Sequence, residues 1–204
     1  MEHVDQFITI EGKKTHIIRS DLQEPRDTII FLHGKSFRAS TWTSINAGKR
    51  MNEIGLNFIA VDYPGWGESE ENSIFYPPTR KYTNSATFIK LLSKELNLRK
   101  FSLLGASFSG PFVISFASRN PESINKIVLV GPVWSEDLST DSSLITSPTL
   151  ICYGENDTVI SVDSFIKYKN AIKESTLKMV KGAGHALYLD EPDVFFSILV
   201  DHLK

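Results

Sequence analysis

Four short runs in this chain are apolar on both faces instead of alternating: Thr28–Leu32 (TIIFL), Asn57–Asp62 (NFIAVD), Lys126–Val130 (KIVLV) and Thr149–Tyr153 (TLICY). A strand with two apolar faces needs cover on both sides, and the architecture that supplies it is a parallel sheet flanked by helices. Four further runs read as strands: Phe7–Ile10, His16–Ser20, Lys100–Leu104 and Thr176–Val180. The first two are more polar and close together, which predicts an antiparallel pair at one edge. Between the strands, helical periodicity is predicted over Asn84–Leu96, Phe112–Ser118, Val162–Ile172 and Asp193–Leu203, with Asp163 and Asp193 as first-turn acids. Strands alternating with helices predict a mainly parallel eight-stranded α/β sheet with right-handed crossovers. No repeat or linker interrupts the 204 residues, so residues 1–204 form one expected domain. The polar, serine-rich segment Gly131–Ser147 is expected to be a loop, too short to fold as a lid domain.

Charge and cysteine content narrow the function classes. Twenty-two basic residues against 24 acidic ones give a net charge of −2, so no global field favours nucleic acid or an anionic membrane. The one cysteine, Cys152, cannot form an internal disulfide, and a reducing cytoplasm is the expected compartment. No apolar run reaches the length of a membrane span, and the acidic start MEHVDQFITI lacks the pattern of a signal peptide.

In an open parallel sheet, ligands bind beyond the carboxyl ends of the strands. The run Lys100–Leu104 is followed by Gly105-Ala106-Ser107-Phe108-Ser109-Gly110 and then an apolar helix. A serine at the apex of such a turn, flanked by small residues, is exposed as a nucleophile beside a helix N-terminus. Gly154-Glu155-Asn156-Asp157 follows another strand and offers Asp157 as the acid that orients a histidine, with Glu155 as rival. Gly182-Ala183-Gly184-His185 follows the last strand and frees His185 to act as base. His3, His16 and His202 have no comparable setting. Serine, acid, histidine in that order, each at a strand end, is the order of the α/β-hydrolase triad. The oxyanion donors expected are the N–H groups of Phe108 and Lys35, with Ser36 as the alternative to Lys35, in the turn His33-Gly34-Lys35-Ser36-Phe37. No His/Cys/Asp cluster has ligand spacing, so neither a metal nor a cofactor is expected.

The motifs FLHG (31–34), DYPGWGES (62–69), LLGASFSG (103–110), YGENDT (153–158) and KGAGHALYLDEP (181–192) resemble successive blocks of the α/β-hydrolase superfamily. Within it the chain is similar to a small branch without a cap domain, that of abhydrolase domain-containing protein fourteen, form B. The resemblance implies an α/β-hydrolase fold without a cap, and acyl transfer from a small ester with a short acyl group. It also marks Asp62 and Pro64–Gly67 as scaffold, and that branch is linked to deacylation of lysine side chains. On this reading Ser36, Phe37 and Trp134 contact the substrate, Trp42 and Trp66 pack beneath loops, and Lys35, Arg38 and Lys181 are solvated. The expected partner is a small-molecule ester, with no nucleic acid and no membrane, on a monomer or small homo-oligomer. Two alternatives stay open: a non-catalytic binding protein on the same scaffold, or the same triad passing the acyl group to an acceptor other than water.

Overall fold

The structure is a computed structural model, described here for residues 3–204. Its eight strands are β1 (Val4–Ile10), β2 (Lys13–Arg19), β3 (Asp27–Leu32), β4 (Leu56–Val61), β5 (Phe101–Ala106), β6 (Ile124–Val130), β7 (Thr149–Gly154) and β8 (Ser175–Val180). They form one sheet in the order β1-β2-β4-β3-β5-β6-β7-β8. β1 and β2 pair antiparallel, as do β2 and β4, and every other neighbouring pair is parallel. The β1–β2 hairpin closes through Glu11 and Gly12, both with positive φ (49° and 73°), the backbone hand that matches strand twist.

The doubly apolar runs fill two cores, one on each face of the sheet. On one face Ile30, Leu32, Val61, Leu103, Leu129 and Ile151 meet α3 (Thr83–Glu95), α4 (Gly110–Arg119) and α6 (Val162–Ala171) through Phe88, Phe112, Phe116 and Phe165. On the other, Ile29, Phe31, Phe58, Leu104, Val128 and Leu150 meet α1 (Ala39–Ser44), α2 (Ala47–Glu53) and α8 (Pro192–Leu203) through Trp42, Met51, Phe195 and Phe196. Each fully buried side chain of this size contributes about 1.5–3 kcal/mol.

Differences from the sequence expectations have local causes. Helices α1 (ASTWTS) and α2 (AGKRMNE) are short and mostly polar, with too few apolar residues to show a period. Gly131–Ser147 is not a plain loop. It contains a 3₁₀ turn (Glu136–Leu138) and α5 (Ser139–Ser143), held by buried Leu138 and Ile145 and by an Arg119–Asp141 ion pair at 3.0 Å. No cap domain is inserted there. The thiol of Cys152 is fully buried in β7, and burial pushes it up to about 12, so it is an inert core group.

His16 on β2 has a structural setting that its sequence context did not reveal. Its Nδ1 lies 2.7 Å from Asp62 Oδ2 and its Nε2 2.8 Å from Asp5 Oδ1. Burial alone would lower its pKa, but hydrogen bonds and charge from Asp62 and Asp5 outweigh this and raise it above 6.5. A raised folded-state pKa stabilises the fold fully below the unfolded value and loses that contribution as pH rises through the folded value. Urea unfolding is therefore expected to show parent stability falling, relative to His16→Gln, as pH rises above about 6.5. A difference between the two that does not change with pH would remove this role from His16.

Candidate active site

At the end of β5 the backbone turns sharply and Ser107 takes φ = +48°, a left-handed conformation that costs a non-glycine residue energy. The turn closes because its neighbours are small. A Cβ on Gly105 would sit 2.7 Å from Val113 Cγ2 and 2.8 Å from Ser109 O, so α4 crosses the strand only over a glycine. Ser109, where a glycine would also fit, accepts the Ala106 N–H at 2.9 Å and lies 3.1 Å from Leu32 O, tying the turn to the end of β3.

His185 and Asp157 arrive from the loops after β8 and β7. Gly154 makes their approach possible: a Cβ there would lie 2.1 Å from Gly184 O and 2.4 Å from Ala183 O. Asn156 N–H donates to Ala183 O at 2.8 Å, and Glu155 Oε2 accepts Gly182 N–H at 2.9 Å. Glu155 is thus a brace between the two loops, and Asp157 is the acid that faces the histidine. His185 Nδ1 is 2.8 Å from Asp157 Oδ2, and His185 Nε2 is 2.9 Å from Ser107 Oγ. Asp157 Oδ1 accepts the N–H groups of Val159 and Ile160, both at 2.9 Å, which fixes the carboxylate plane. With Nδ1–H donating to the acid, Nε2 is left to accept the serine proton. Gly131 (φ +53°) walls the imidazole: a Cβ there would come within 3.2 Å of His185 Cε1.

The turn after β3 runs past the nucleophile, where a Cβ on Gly34 would be 3.7 Å from Ser107 Cβ. His33 Nε2 accepts the Tyr63 N–H at 3.1 Å, which leaves its Nδ1–H to donate to Gly34 O at 2.8 Å. Burial lowers the His33 pKa and keeps this ring neutral. Phe37 N–H also donates to Gly34 O, at 3.0 Å. Because a trans peptide points its N–H opposite its carbonyl, drawing Gly34 O to one side turns the Lys35 N–H to the other. Phe108 N–H lies in the first turn of a 3₁₀ segment (Ser107–Ser109), where amides have no intrahelical acceptor.

A cleft of about 380 Å³ adjoins this turn, lined by Tyr82, Phe108, Pro111, Val133, Ser135 and Arg80. Trp134 does not face it. Its two neighbours Val133 and Ser135 line the cleft, while Trp134 packs edge-on against Tyr168 (4.7 Å) and donates to Glu136 Oε2 (2.7 Å). The apolar wall expected from Trp134 is instead made by Phe108, Tyr82 and Pro111. Half-buried Phe37 covers Gly34 on the nucleophile's other flank, and Ser36 is exposed beside it. Trp42 is buried against Phe31 and Tyr188, as a packing residue. Trp66 differs from its expected place beneath a loop: its Nε1–H donates to Lys35 O at 2.7 Å, and its ring lies 5.2 Å from that of Phe108. Trp66 and His33 therefore hold the carbonyls of Lys35 and Gly34, contacts that sequence reading missed. Only their neighbours in the HG and GWG strings hinted at them. Among the described residues, no helix is long and apolar enough to cross a membrane.

Comparison with known proteins agrees with this fold. The Hydrolase_4 family model, described as serine aminopeptidase, S33, matches residues 23–139. ABHD14A of Mus musculus is 29% identical over 188 residues, covering 89% of this chain and 73% of its own. ABHD14B of Rattus norvegicus, whose name proposes protein-lysine deacylase activity, is 28% identical over 183 residues, covering 89% and 85%. The crystal structure of a predicted CIB-like hydrolase from Thermoplasma acidophilum superposes with a TM-score of 0.94 at 30% identity, covering 100% of this chain and 98% of that one. A mostly parallel eight-stranded sheet with helices on both faces, matched by family and by relatives, leads to one assignment: the chain belongs to the Hydrolase_4 family and is an α/β-hydrolase resembling ABHD14.

Proposed function

We propose that this hydrolase is a serine esterase that cleaves small esters with short acyl groups through an acyl-enzyme on Ser107. The observation that carries the reading is the unbroken relay from Asp157 through His185 to Ser107, at 2.8 and 2.9 Å, with the serine held in the left-handed conformation. In the first half-reaction Ser107 Oγ attacks the ester carbonyl while His185 Nε2 takes the hydroxyl proton. The carbonyl oxygen becomes an oxyanion facing the Phe108 and Lys35 amides, and each such donor typically contributes about 3 kcal/mol. Collapse expels the alcohol, which takes the proton back from His185. A water, deprotonated by the same ring, then attacks the acyl-enzyme and releases the acid. Asp157 holds the imidazole in the required tautomer throughout.

The preference for short acyl groups rests on the cleft. Its volume of about 380 Å³ is near the lower end of ligand pockets, and no cap encloses a longer chain. The uncapped cleft also admits an acyl-lysine side chain on a macromolecule, the activity that the name of ABHD14B proposes, and there the leaving group is an amine. The test is labelling with a fluorophosphonate, with the site found by peptide mass spectrometry, followed by a series of p-nitrophenyl esters of increasing chain length. Modification at Ser107 and a kcat/KM that falls beyond short chains are expected. No label at Ser107 would favour a non-catalytic binding protein, and a rate climbing through long chains would overturn the acyl preference.

A further inference from the structure

Beside Trp66, a second cavity of about 390 Å³ has none of Ser107, Asp157 and His185 in its lining. Its lining includes Trp66, Tyr76, Gly65, Glu71 and Asn72. Trp66 and Tyr76 meet nearly at right angles, with ring centroids 4.8 Å apart and planes at 84°, and so make two aromatic walls. Gly65 has φ = +88°, and Glu71 Cγ lies 3.6 Å from the place its Cβ would occupy, so the acidic side chain folds over a glycine next to the rings. No ion pair engages Glu71 among the described residues. Asn72 is only 6% exposed. Its Oδ1 accepts the Ile74 N–H at 3.1 Å, and its Nδ2 has no acceptor among the described residues.

These groups together select a ligand chemistry. Two aromatic walls and an unpaired carboxylate attract an ammonium ion, through the ring quadrupoles and through charge. The surrounding segment reinforces the sign: between Arg50 and Arg80 there is no lysine or arginine, while Glu53, Asp62, Glu68, Glu70 and Glu71 all fall there. Lys14 and Lys35 are the basic residues whose backbones adjoin it, through Glu70 and Trp66 respectively. An anion would meet Glu71, and a purely apolar ligand would leave Glu71 unused. We propose that this pocket binds a small organic ammonium ion, of the quaternary class to which choline belongs. The site shares Trp66 with the oxyanion loop, since the same indole holds Lys35 O and packs on Phe108.

The proposal does not depend on hydrolysis, and its test keeps the two apart. Calorimetric titration compares choline with its neutral isostere 3,3-dimethylbutan-1-ol, on the parent protein and on Ser107→Ala, which leaves this pocket intact. Choline is expected to bind about tenfold more tightly than the isostere, equally in both proteins, and to move the Trp66 indole N–H resonance. Glu71→Gln and Tyr76→Leu, both changes at exposed side chains, are each expected to remove most of that preference. Equal affinities, no saturable response to choline, or a preference unchanged in Glu71→Gln would overturn the assignment. Because Ser107→Ala is titrated alongside, a failure of cation binding and a failure of the esterase reading produce different results.

Discussion

Ser107→Ala is expected to abolish the burst of p-nitrophenol from p-nitrophenyl acetate and to lower kcat by about 10⁴- to 10⁶-fold. The size of the effect follows from the geometry. The triad acts as a unit, because the proton that leaves Ser107 Oγ has one acceptor, His185 Nε2 at 2.9 Å, and that ring is held by Asp157 at 2.8 Å. Removing the hydroxyl removes the covalent route entirely and leaves only the oxyanion amides. Asp157→Asn is expected to fall in the same range by a different path. An amide that donates toward Nδ1 favours the wrong tautomer, so the burst slows while Ser107 remains in place. Burst and steady-state rates measured for the two variants beside the parent check both statements. Equal burst amplitude in parent and Ser107→Ala would mean that the p-nitrophenol arises elsewhere on the protein and that the serine mechanism is wrong.

Asp62→Ala is expected to destabilise the fold by about 3–5 kcal/mol, the usual result of breaking a buried ion pair from one side. For a chain of this size that corresponds to a drop in Tm of roughly 6–20 °C. Asp62 is 1% exposed and accepts from three directions: His16 Nδ1 at 2.7 Å, Ala39 N–H at 2.6 Å and Glu68 N–H at 3.0 Å. Truncation leaves buried His16 with only exposed Asp5, and it leaves two amides without acceptors. Gly67 explains why nothing else fits the site, since a Cβ there would come within 2.1 Å of Asp62 Oδ2. Asp62→Asn keeps an oxygen for Ala39 N–H but not the charge, and is expected to lose less. Ala39 begins α1 directly after the turn that carries Lys35, so Asp62→Ala is also expected to loosen the oxyanion loop. Thermal unfolding monitored by circular dichroism, with the esterase rate measured below each midpoint, separates the two effects. A loss of less than 1 kcal/mol would mean that His16 is neutral in the folded protein and that Asp62 is a simple turn acceptor.

The two antiparallel edge strands, the parallel centre and the four long helices were legible because each follows from a local period. The doubly apolar runs had to become central strands, and their side chains do fill both cores. Ser107, Asp157 and His185 were legible for a related reason: each stands in a short Gly-bounded turn after a strand, where backbone requirements leave a recognisable residue pattern. Polar short helices such as α1 and α2 were not legible, because their stability comes from one or two side chains such as Trp42 and Met51 inserted into a core formed by distant segments. Nor was the orientation of Trp134. Only the position of Tyr168 decides which side receives the indole.

Taken alone, then, the sequence determined the α/β layering, the order of Ser107, Asp157 and His185 and the turns that present them, since propensity, periodicity and glycine requirements act over a few neighbouring residues. Tertiary structure decided what depends on contacts across tens of residues. Asp157 rather than Glu155 faces His185, because Gly154 lets the two loops press together and Glu155 is drawn to Gly182 N–H. His16 became a structural group because Asp62, 46 positions away, is buried against it. Trp66 became a support of the loop after β3 because its indole meets the carbonyl of Lys35, 31 positions earlier. Hydrogen bonds and ion pairs of this kind depend on angles and distances of a few tenths of an ångström, which are set by how the layers pack and not by any residue's immediate neighbours.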